Sequence, residues 1–335
     1  MASFSIESEV ALDRLNTLGL SARAERYCKI SSVEALQALF LSEAWGDGPS
    51  LVLGGGSNIV LSGDIAGLTI HVAVPGLVIE PGQLGTRVVA GAGVDWHALV
   101  CETLAVGEGG LENLIAIPGS AGGAPVQNIG AYGLELDERI RSVSALDTHS
   151  GEIVVMDSTD CEFDYRDSIF KRHPGRFIIV TVELLLPRPW QPVLSYAGLN
   201  HLPEDSKNAL GIANAVAALR RAKLPDPKVI GNAGSFFKNP LISHDHFAQL
   251  LEAFPGIVGY PQANGEVKLA AGWLIEDAGY KGLSRGAAAV HEHQALVLVN
   301  RGGATAKEML ELADAVRAGV HQRFGVLLEQ EPVLI

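Results

Sequence analysis

The chain has 335 residues, 47% of them hydrophobic, and a formal net charge of −13. Its length predicts more than one domain and its apolar content a folded protein, while the acidic balance argues against nucleic acid or an anionic membrane as partner, leaving room for an anionic small molecule held by a few local cations. The N-terminus MASFSIESEV lacks the basic region and apolar run of a secretory signal, no stretch reaches the length of a membrane helix, and three isolated cysteines (Cys28, Cys101, Cys161) suit a reducing cytoplasm as buried small hydrophobes.

Residues 31–45 have helical apolar spacing, and Ser31 with Glu34 reads as a capping box. Next, Leu51–Leu53 predicts a short strand that runs into Gly54, Gly55 and Gly56, then Ser57 and Asn58. Successive glycines let backbone N–H groups converge on one anion, a nest suited to pyrophosphate. The stretch is neither the dinucleotide fingerprint nor a P-loop, since the third spaced glycine, the lysine and the following helix are missing. From 68 to 92 a strand–turn–strand is predicted, after which Asp95 caps a helix to about Val106.

Residues 111–133, LENLIAIPGSAGGAPVQNIGAYG, carry several glycines, two prolines and almost no charge. Such a segment is neither regular helix nor strand, and it is too apolar for a solvated loop. Its backbone groups need partners. A flat heteroaromatic cofactor would supply them; an unusual core crossover is the other reading.

A hairpin follows over 139–156, then CEFDYRDSIFK (161–171), where Arg166 is either part of a surface turn or a site arginine held by a neighbouring carboxylate. Phe177–Leu186 reads as a buried strand, PRPWQPVL as a stiff connector, and 208–221 as an Ala-rich helix stopped by Pro225 and Pro227. The linker 223–228 is a candidate domain boundary.

GNAGSFFKNP, residues 231–240, brackets a small polar turn with Gly231 and Gly234, which permit positive φ or close approach. Phe236 and Phe237 anchor it, and Ser235, Lys238 and Asn239 fall near one point. It is either a tight turn into a strand, with Ser235 as a turn hydroxyl, or a site. Beyond it a helix starts near Ser243, a loop passes Tyr260, and 269–279 is helical. Residues 287–300 become a strand after Gln294, with His291 and His293 in structural roles. Thr305 and Glu308 box a helix to Phe324 that Gly325 stops, and the last ten residues read as a strand. Alternating strands and helices with long irregular glycine segments argue α+β or mixed α/β in several lobes.

Taken in order, GGGSN (54–58), IPGSAGGAPVQNIGAYG (117–133), YRDSIFK (165–171), KLPDPKVIGNAGSFFKNP (223–240), AAGWLIEDAG (270–279) and HEHQALVLVN (291–300) closely resemble the UDP-N-acetylenolpyruvoylglucosamine reductase family. The resemblance runs from about Leu51 to Glu331. It implies an α+β architecture: the FAD-binding fold of the vanillyl-alcohol oxidase type, plus a C-terminal α+β substrate domain. The implied boundaries are 1–71 and 72–222 for two FAD-binding subdomains and 223–325 for the substrate domain, with strand 326–335 returning to the FAD-binding region. It implies non-covalent FAD, NADPH as co-substrate, and reduction of the enolpyruvyl ether of a UDP-sugar to UDP-N-acetylmuramate for peptidoglycan synthesis. A cytoplasmic monomer is expected, without a membrane or nucleic-acid partner.

By the same resemblance Gly54, Gly55, Gly56, Ser57 and Asn58 hold the pyrophosphate. Ile117, Gly119, Gln127, Asn128, Ile129, Gly130 and Ala131 line the flavin. Tyr132, Tyr196, Lys223, Asn239, Tyr260 and Gln294 match contacts to substrate or nicotinamide nucleotide, with Tyr260 on a loop that closes over the nucleotide. Arg166, Ser235 and Glu331 match the catalytic trio: Arg166 and Glu331 on the substrate carboxylate, Ser235 as proton donor to the α-carbon. Two departures stand out. Pro332 follows Glu331 and removes a backbone donor, which predicts disturbed strand pairing and makes Glu329 a rival to Glu331. Gly123 occupies a position where related enzymes often carry serine. A flavin oxidase acting on another substrate, or a non-enzymatic flavin or nucleotide-sugar binding protein, are the competing readings.

Overall fold

The structure, a computed structural model, describes residues 4–335. They form two compact units. One comprises the chain up to Ala11, Arg23–Gly56 and Asp64–Ala222; the other comprises Leu12–Ala22, Ser57–Gly63 and Lys223–Ile335.

The first unit holds a four-stranded sheet and a five-stranded sheet. The four-stranded sheet runs in the order Glu7–Ala11, Arg23–Ile30, Ile65–Val72, Pro49–Leu53. Its outer pair is antiparallel and the remaining pairs are parallel. The five-stranded sheet is antiparallel, in the order Ile153–Asp157, Ile140–Asp147, Phe177–Pro187, Gly85–Gly91, Leu77–Pro81. Alternation explains the central strand: Ile178, Val180, Val182, Leu184 and Leu186 are buried on one face. They join a core with Ile70, Val88, Trp96 and Val216.

Helix Trp96–Ala105 starts where Asp95 accepts the Ala98 N–H, as its sequence predicts. The helix predicted over 31–45 is shorter, Val33–Phe40, and Ser32, not Ser31, caps it through the Ala35 N–H. It stops because the Ser42 hydroxyl takes the Leu39 carbonyl at 2.7 Å, competing with helix continuation. The chain then makes a single turn, Glu43–Trp45. Cys28 and Cys161 are buried as expected, but Cys101 is exposed, because it lies on the solvent side of Trp96–Ala105 beside His97.

The second unit has a sheet ordered Gly231–Ser235, Val297–Asn300, Ala288–Val290, Ser284–Arg285 and a three-stranded sheet ordered Leu241–Ser243, Glu266–Leu269, Gly259–Pro261. Three sequence expectations shift here. Ala288–Val290 is itself a strand, paired with Val297–Asn300. Tyr260 lies in a short strand that pairs with Glu266–Leu269, not in an open loop. The helix expected over 269–279 contracts to Ala271–Asp277, because Leu269 is taken by that same sheet. Helix Ala306–Phe324 carries the predicted capping box at Thr305 and Glu308, and Gly325 ends it at φ 67°.

The tail does not lose its pairing at Pro332. The Glu331 N–H donates to Phe236 O at 3.0 Å, and beyond the proline the Val333 and Ile335 N–H groups donate to Asn58 O and Val60 O at 2.9 Å each. The proline sits where no ladder donor is needed, between a segment that pairs with 236–238 and one that pairs in parallel with Ile59–Val60.

Candidate flavin and substrate site

In the first unit the irregular segment expected between 111 and 133 is built as two single-turn helices, Glu112–Leu114 and Pro125–Gln127, and a two-residue strand, Gly130–Ala131. Its backbone is stitched to the fold rather than left open. Trp96 N–H donates to Gly119 O at 3.0 Å, Ala121 N–H to Val94 O at 2.8 Å, and Gly122 N–H to Ala92 O at 2.9 Å. Strain is concentrated here. Ala116, Asn128, Tyr132 and Arg166 all have φ between 42° and 59°, a region that ordinary side chains rarely adopt.

The glycine turn lies against this segment. A Cβ on Gly55 would fall 2.7 Å from Gly119 Cα and 3.1 Å from Ser120 N, both backbone. Only glycine permits two main chains to meet so closely. A Cβ on Gly54 would meet the Ser120 Oγ at 2.7 Å. That hydroxyl is buried and has no hydrogen-bond partner among the described residues. Gly56 is the member of the trio at positive φ, 59°.

Other expected flavin-lining residues divide by what their side chains do. Asn128 is fully buried, its Oδ1 accepting from Asp137 N–H at 3.0 Å and its Nδ2 donating to Asp164 O at 3.3 Å. Its side chain therefore braces the segment. Ile129 is buried; Ile117, Gly119, Gln127, Gly130 and Ala131 are half-buried. Arg166 is 16% exposed and donates through Nη2 to Gly130 O at 2.6 Å. Its carboxylate neighbour is Glu135, at 3.9 Å, whereas the adjacent Asp167 pairs with Arg172 at 2.7 Å. A Cβ on Gly130 would stand 2.8 Å from Arg166 Nη1 and 2.9 Å from Glu135 Cγ, so a larger residue there would displace the guanidinium and its carboxylate neighbour.

Two contributors, Arg220 and His97, carry no motif in the sequence. Arg220 donates from Nε to Ala116 O at 3.1 Å, and His97 Nδ1 accepts the Ala116 N–H at 3.3 Å, so both backbone groups of a strained residue are held. Burial pulls the Arg220 guanidinium down from its ordinary value, yet an arginine stays charged. No carboxylate pairs with it among the described residues. The rings of Tyr132 and Tyr196 meet edge to face, centroids 4.7 Å apart, and burial pushes the Tyr132 phenol up.

In the second unit the two glycines of 231–240 do different work. A Cβ on Gly231 would strike Leu18 O at 2.4 Å, so this position needs close approach. Gly234 has open space around it but φ 71°, so it needs the conformation. Buried Asn232 organises the turn: its Oδ1 accepts the Gly234 N–H at 3.0 Å, and its Nδ2 donates to Pro225 O and Ile230 O. The ladder to Val297–Asn300 is broken between Asn232 and Ser235. Ser235 follows that bulge, half-buried, with Phe236 and Phe237 fully buried behind it. This pattern was detectable as Gly-Asn-Ala-Gly-Ser ahead of two aromatics.

The tail places Glu331 beside this turn through its N–H to Phe236 O, and Asn58 Nδ2 reaches Glu331 O at 3.3 Å. Glu329 is instead exposed and ion-paired with Lys238. Asn239 Oδ1 accepts the Ala271 N–H at 3.0 Å at the start of helix Ala271–Asp277. Gln294 Oε1 accepts from Leu296 N–H. Tyr260 is exposed on its strand, and Lys223 is exposed at the end of helix Ala209–Lys223. His291 and His293 stack edge to face, and no metal-ligand cluster is found among the described residues.

Residues 24–157 match the model of an FAD binding domain, and 226–335 match that of the UDP-N-acetylenolpyruvoylglucosamine reductase C-terminal domain. The chain is similar to UDP-N-acetylenolpyruvoylglucosamine reductase of Azoarcus sp. (strain BH72), 48% identical over 340 residues, covering 99% of this chain and 98% of that one. The enzyme of the same name from Paraburkholderia phytofirmans is 50% identical over 329 residues, covering 96% and 95%. The chain belongs to the UDP-N-acetylenolpyruvoylglucosamine reductase family. Among solved structures, the reductase of Thermus caldophilus superposes with a TM-score of 0.69 at 26% identity, covering 99% of each chain. The chain is thus an FAD-dependent oxidoreductase of peptidoglycan synthesis that uses NADPH.

The residues of the first unit fit that cofactor. A close backbone approach of Gly55 to Gly119, an unpartnered buried hydroxyl at Ser120 and a strained, nearly uncharged segment carrying Ile117 and Ile129 line this part of the unit. These suit a pyrophosphate and a flat ring.

Proposed function

We propose that this reductase converts the enolpyruvyl ether of UDP-N-acetylglucosamine to UDP-N-acetylmuramate, with Arg166, Ser235 and Glu331 carrying the chemistry. FAD, when bound by Gly54–Gly56 and the 117–131 segment, supplies to the enolpyruvyl methylene a hydride obtained from NADPH. An enol ether is electron-rich and resists a hydride, so its carboxylate must take up the developing charge. Arg166 stabilises that charge through its guanidinium. Its contacts to Gly130 O and Glu135 hold the head group in place before substrate arrives. Glu331, when protonated, donates a hydrogen bond to the same carboxylate. Ser235 then gives the hydroxyl proton to the α-carbon, which is basic enough to take it from an alcohol.

The observation that supports this reading most is the turn beneath Ser235. Asn232, Gly231 and Gly234 together fix one serine at a broken ladder, a construction that an ordinary strand does not need. Tyr132, Tyr196, Lys223, Asn239, Tyr260 and Gln294 serve the UDP-sugar and nicotinamide nucleotides in this reading. The compact unit ending at Ala222 supports a boundary before a substrate-binding part from 223; 1–71 and 72–222 are the FAD-binding parts in this reading, although Leu12–Ala22 and Ser57–Gly63 belong to the same compact unit as Lys223–Ile335. The pairing of Val333–Leu334 with Ile59–Val60 supports return of the tail to the stretch after the glycine turn. The enzyme works as a cytoplasmic monomer; no helix is long and apolar enough to cross a membrane among the described residues.

Half-reactions test the roles. Ser235→Ala leaves flavin bleaching by NADPH near normal and slows reoxidation by the enolpyruvyl nucleotide by about a hundredfold or more, the range of a lost general acid. Equal loss in both half-reactions would remove Ser235 from proton transfer. Faster reoxidation by oxygen than by the nucleotide would favour a flavin oxidase instead.

A further inference from the structure

Tyr196 lies in a stretch without regular secondary structure, following the strand Phe177–Pro187 and rich in proline. Nothing in a ladder or helix fixes such a connector, so side chains must. Two adjacent residues supply them. Glu112 is 1% exposed; its Oε1 accepts the Trp190 Nε1–H at 2.8 Å and its Oε2 accepts the Gly110 N–H. Asn113 is 0% exposed; its Nδ2 donates to Val193 O at 3.0 Å and to Tyr132 O at 2.8 Å. One amide thus ties the connector carrying Tyr196 to the backbone of Tyr132, whose ring meets that of Tyr196.

The surrounding shape agrees. A Cβ on Gly109 would lie 2.5 Å from Trp190 Nε1, and a Cβ on Gly133 would lie 2.3 Å from Ser195 Oγ. Tyr132 and Gly133 both sit at positive φ, 52° and 90°. The connector is therefore pressed against glycine on both sides of the Asn113 bridge. Burying an acid and an amide completely is unfavourable unless they are bonded; here both Glu112 oxygens and the Asn113 Nδ2 are spent on main chain or on Trp190, while Asn113 Oδ1 has no hydrogen-bond partner among the described residues. None of these bonds is needed to close a sheet or cap a helix.

We propose that Glu112 and Asn113 are positioning residues for nucleotide-sugar binding, acting through the Tyr132–Tyr196 pair. The proposal rests on the reading of Tyr196 as a substrate contact. Glu112 holds the Trp190 end of the connector and Asn113 holds it three residues before Tyr196. The aromatic pair then stands ready before substrate arrives, so its ordering does not subtract from affinity.

A double-mutant cycle tests this on the FAD-loaded enzyme. The variants are Tyr196→Ala, Asn113→Ala and their combination, with KM for the enolpyruvyl nucleotide, kcat, thermal midpoint and bound flavin measured for each. Loss of two buried hydrogen bonds by Asn113→Ala raises KM by about tenfold while kcat and flavin content stay within about twofold. In the Tyr196→Ala background the same change adds less than about twofold, because the residue through which it acts is gone. Multiplicative effects on KM would overturn the proposal. Tyr196→Ala with an unchanged KM would overturn the substrate role of Tyr196, a failure distinct from the first. Should Asn113→Ala not fold, Trp190→Phe replaces it in the same cycle. It keeps an aromatic ring at this place and removes the donor to Glu112, and the same outcomes decide.

Discussion

Replacing Gly55 by alanine separates a glycine needed for space from its neighbours. The new Cβ would stand 2.7 Å from Gly119 Cα, 3.0 Å from Gly119 C and 3.1 Å from Ser120 N. Relaxed carbon–carbon contact lies near 3.5–4.0 Å, so two backbones must part by roughly 1 Å. The Ser120 side cannot yield freely, because neighbouring residues are bonded on to Val94 O and Ala92 O. Overpacking of this kind costs about 1–3 kcal/mol, and at a few degrees per kcal/mol for a chain of this size the thermal midpoint falls by roughly 2–12 °C. FAD retention after desalting falls in parallel. Gly54→Ala is the control. Its Cβ meets the Ser120 hydroxyl at 2.7 Å, and a hydroxyl escapes by rotation at a cost of about 1 kcal/mol or less. The assay is a thermal melt of apo and FAD-loaded protein, with the visible absorbance of retained flavin. A Gly55→Ala protein that melts and retains FAD like the parent would refute the close-contact argument, as would equal effects at the two positions.

Other consequences follow from buried titrating groups. Burial pulls His71 below its ordinary 6.5, while it bonds the Tyr27 hydroxyl at 2.6 Å. The folded state thus prefers neutral His71, and the unfolded chain binds more protons; the resulting stability is full above pH 6.5 and is lost as pH falls through the lower folded value. A His71→Gln protein shows a flatter midpoint-against-pH curve below pH 6.5 than the parent; parallel curves would exclude His71 as the cause. Burial pushes the Cys161 thiol up to about 12, and Cys28 is also raised and buried. A thiol reagent at pH 8 therefore labels Cys101 in the native protein and all three cysteines only after denaturation. Rapid native labelling of Cys161 would contradict its burial.

Much of this was legible in the chain itself. Asp95 and the Thr305–Glu308 pair announce their helices because a cap is a local hydrogen bond between residues three apart. The strand Phe177–Pro187 announces itself by its near-continuous apolar run. Periodicity overextends the 31–45 helix because it does not register that Ser42 draws off a carbonyl. Local preference makes Tyr260 a loop residue, whereas its pairing partner, Lys268, is chosen by a small sheet.

The glycine turn, the nearly uncharged segment 111–133 and the Asn-Ala-Gly-Ser turn are written locally, since glycine, proline and scarce charge act on the chain where they stand. Tertiary structure decided what each is for. It set Gly55 against Gly119, sixty-four residues apart in number (119 − 55). It gave Arg166 to Glu135 and not to Asp167, sent Glu329 to Lys238, and spent Asn113 on a connector eighty residues later. Those pairings join points distant along the chain, and only the packed core brings such points within hydrogen-bonding range.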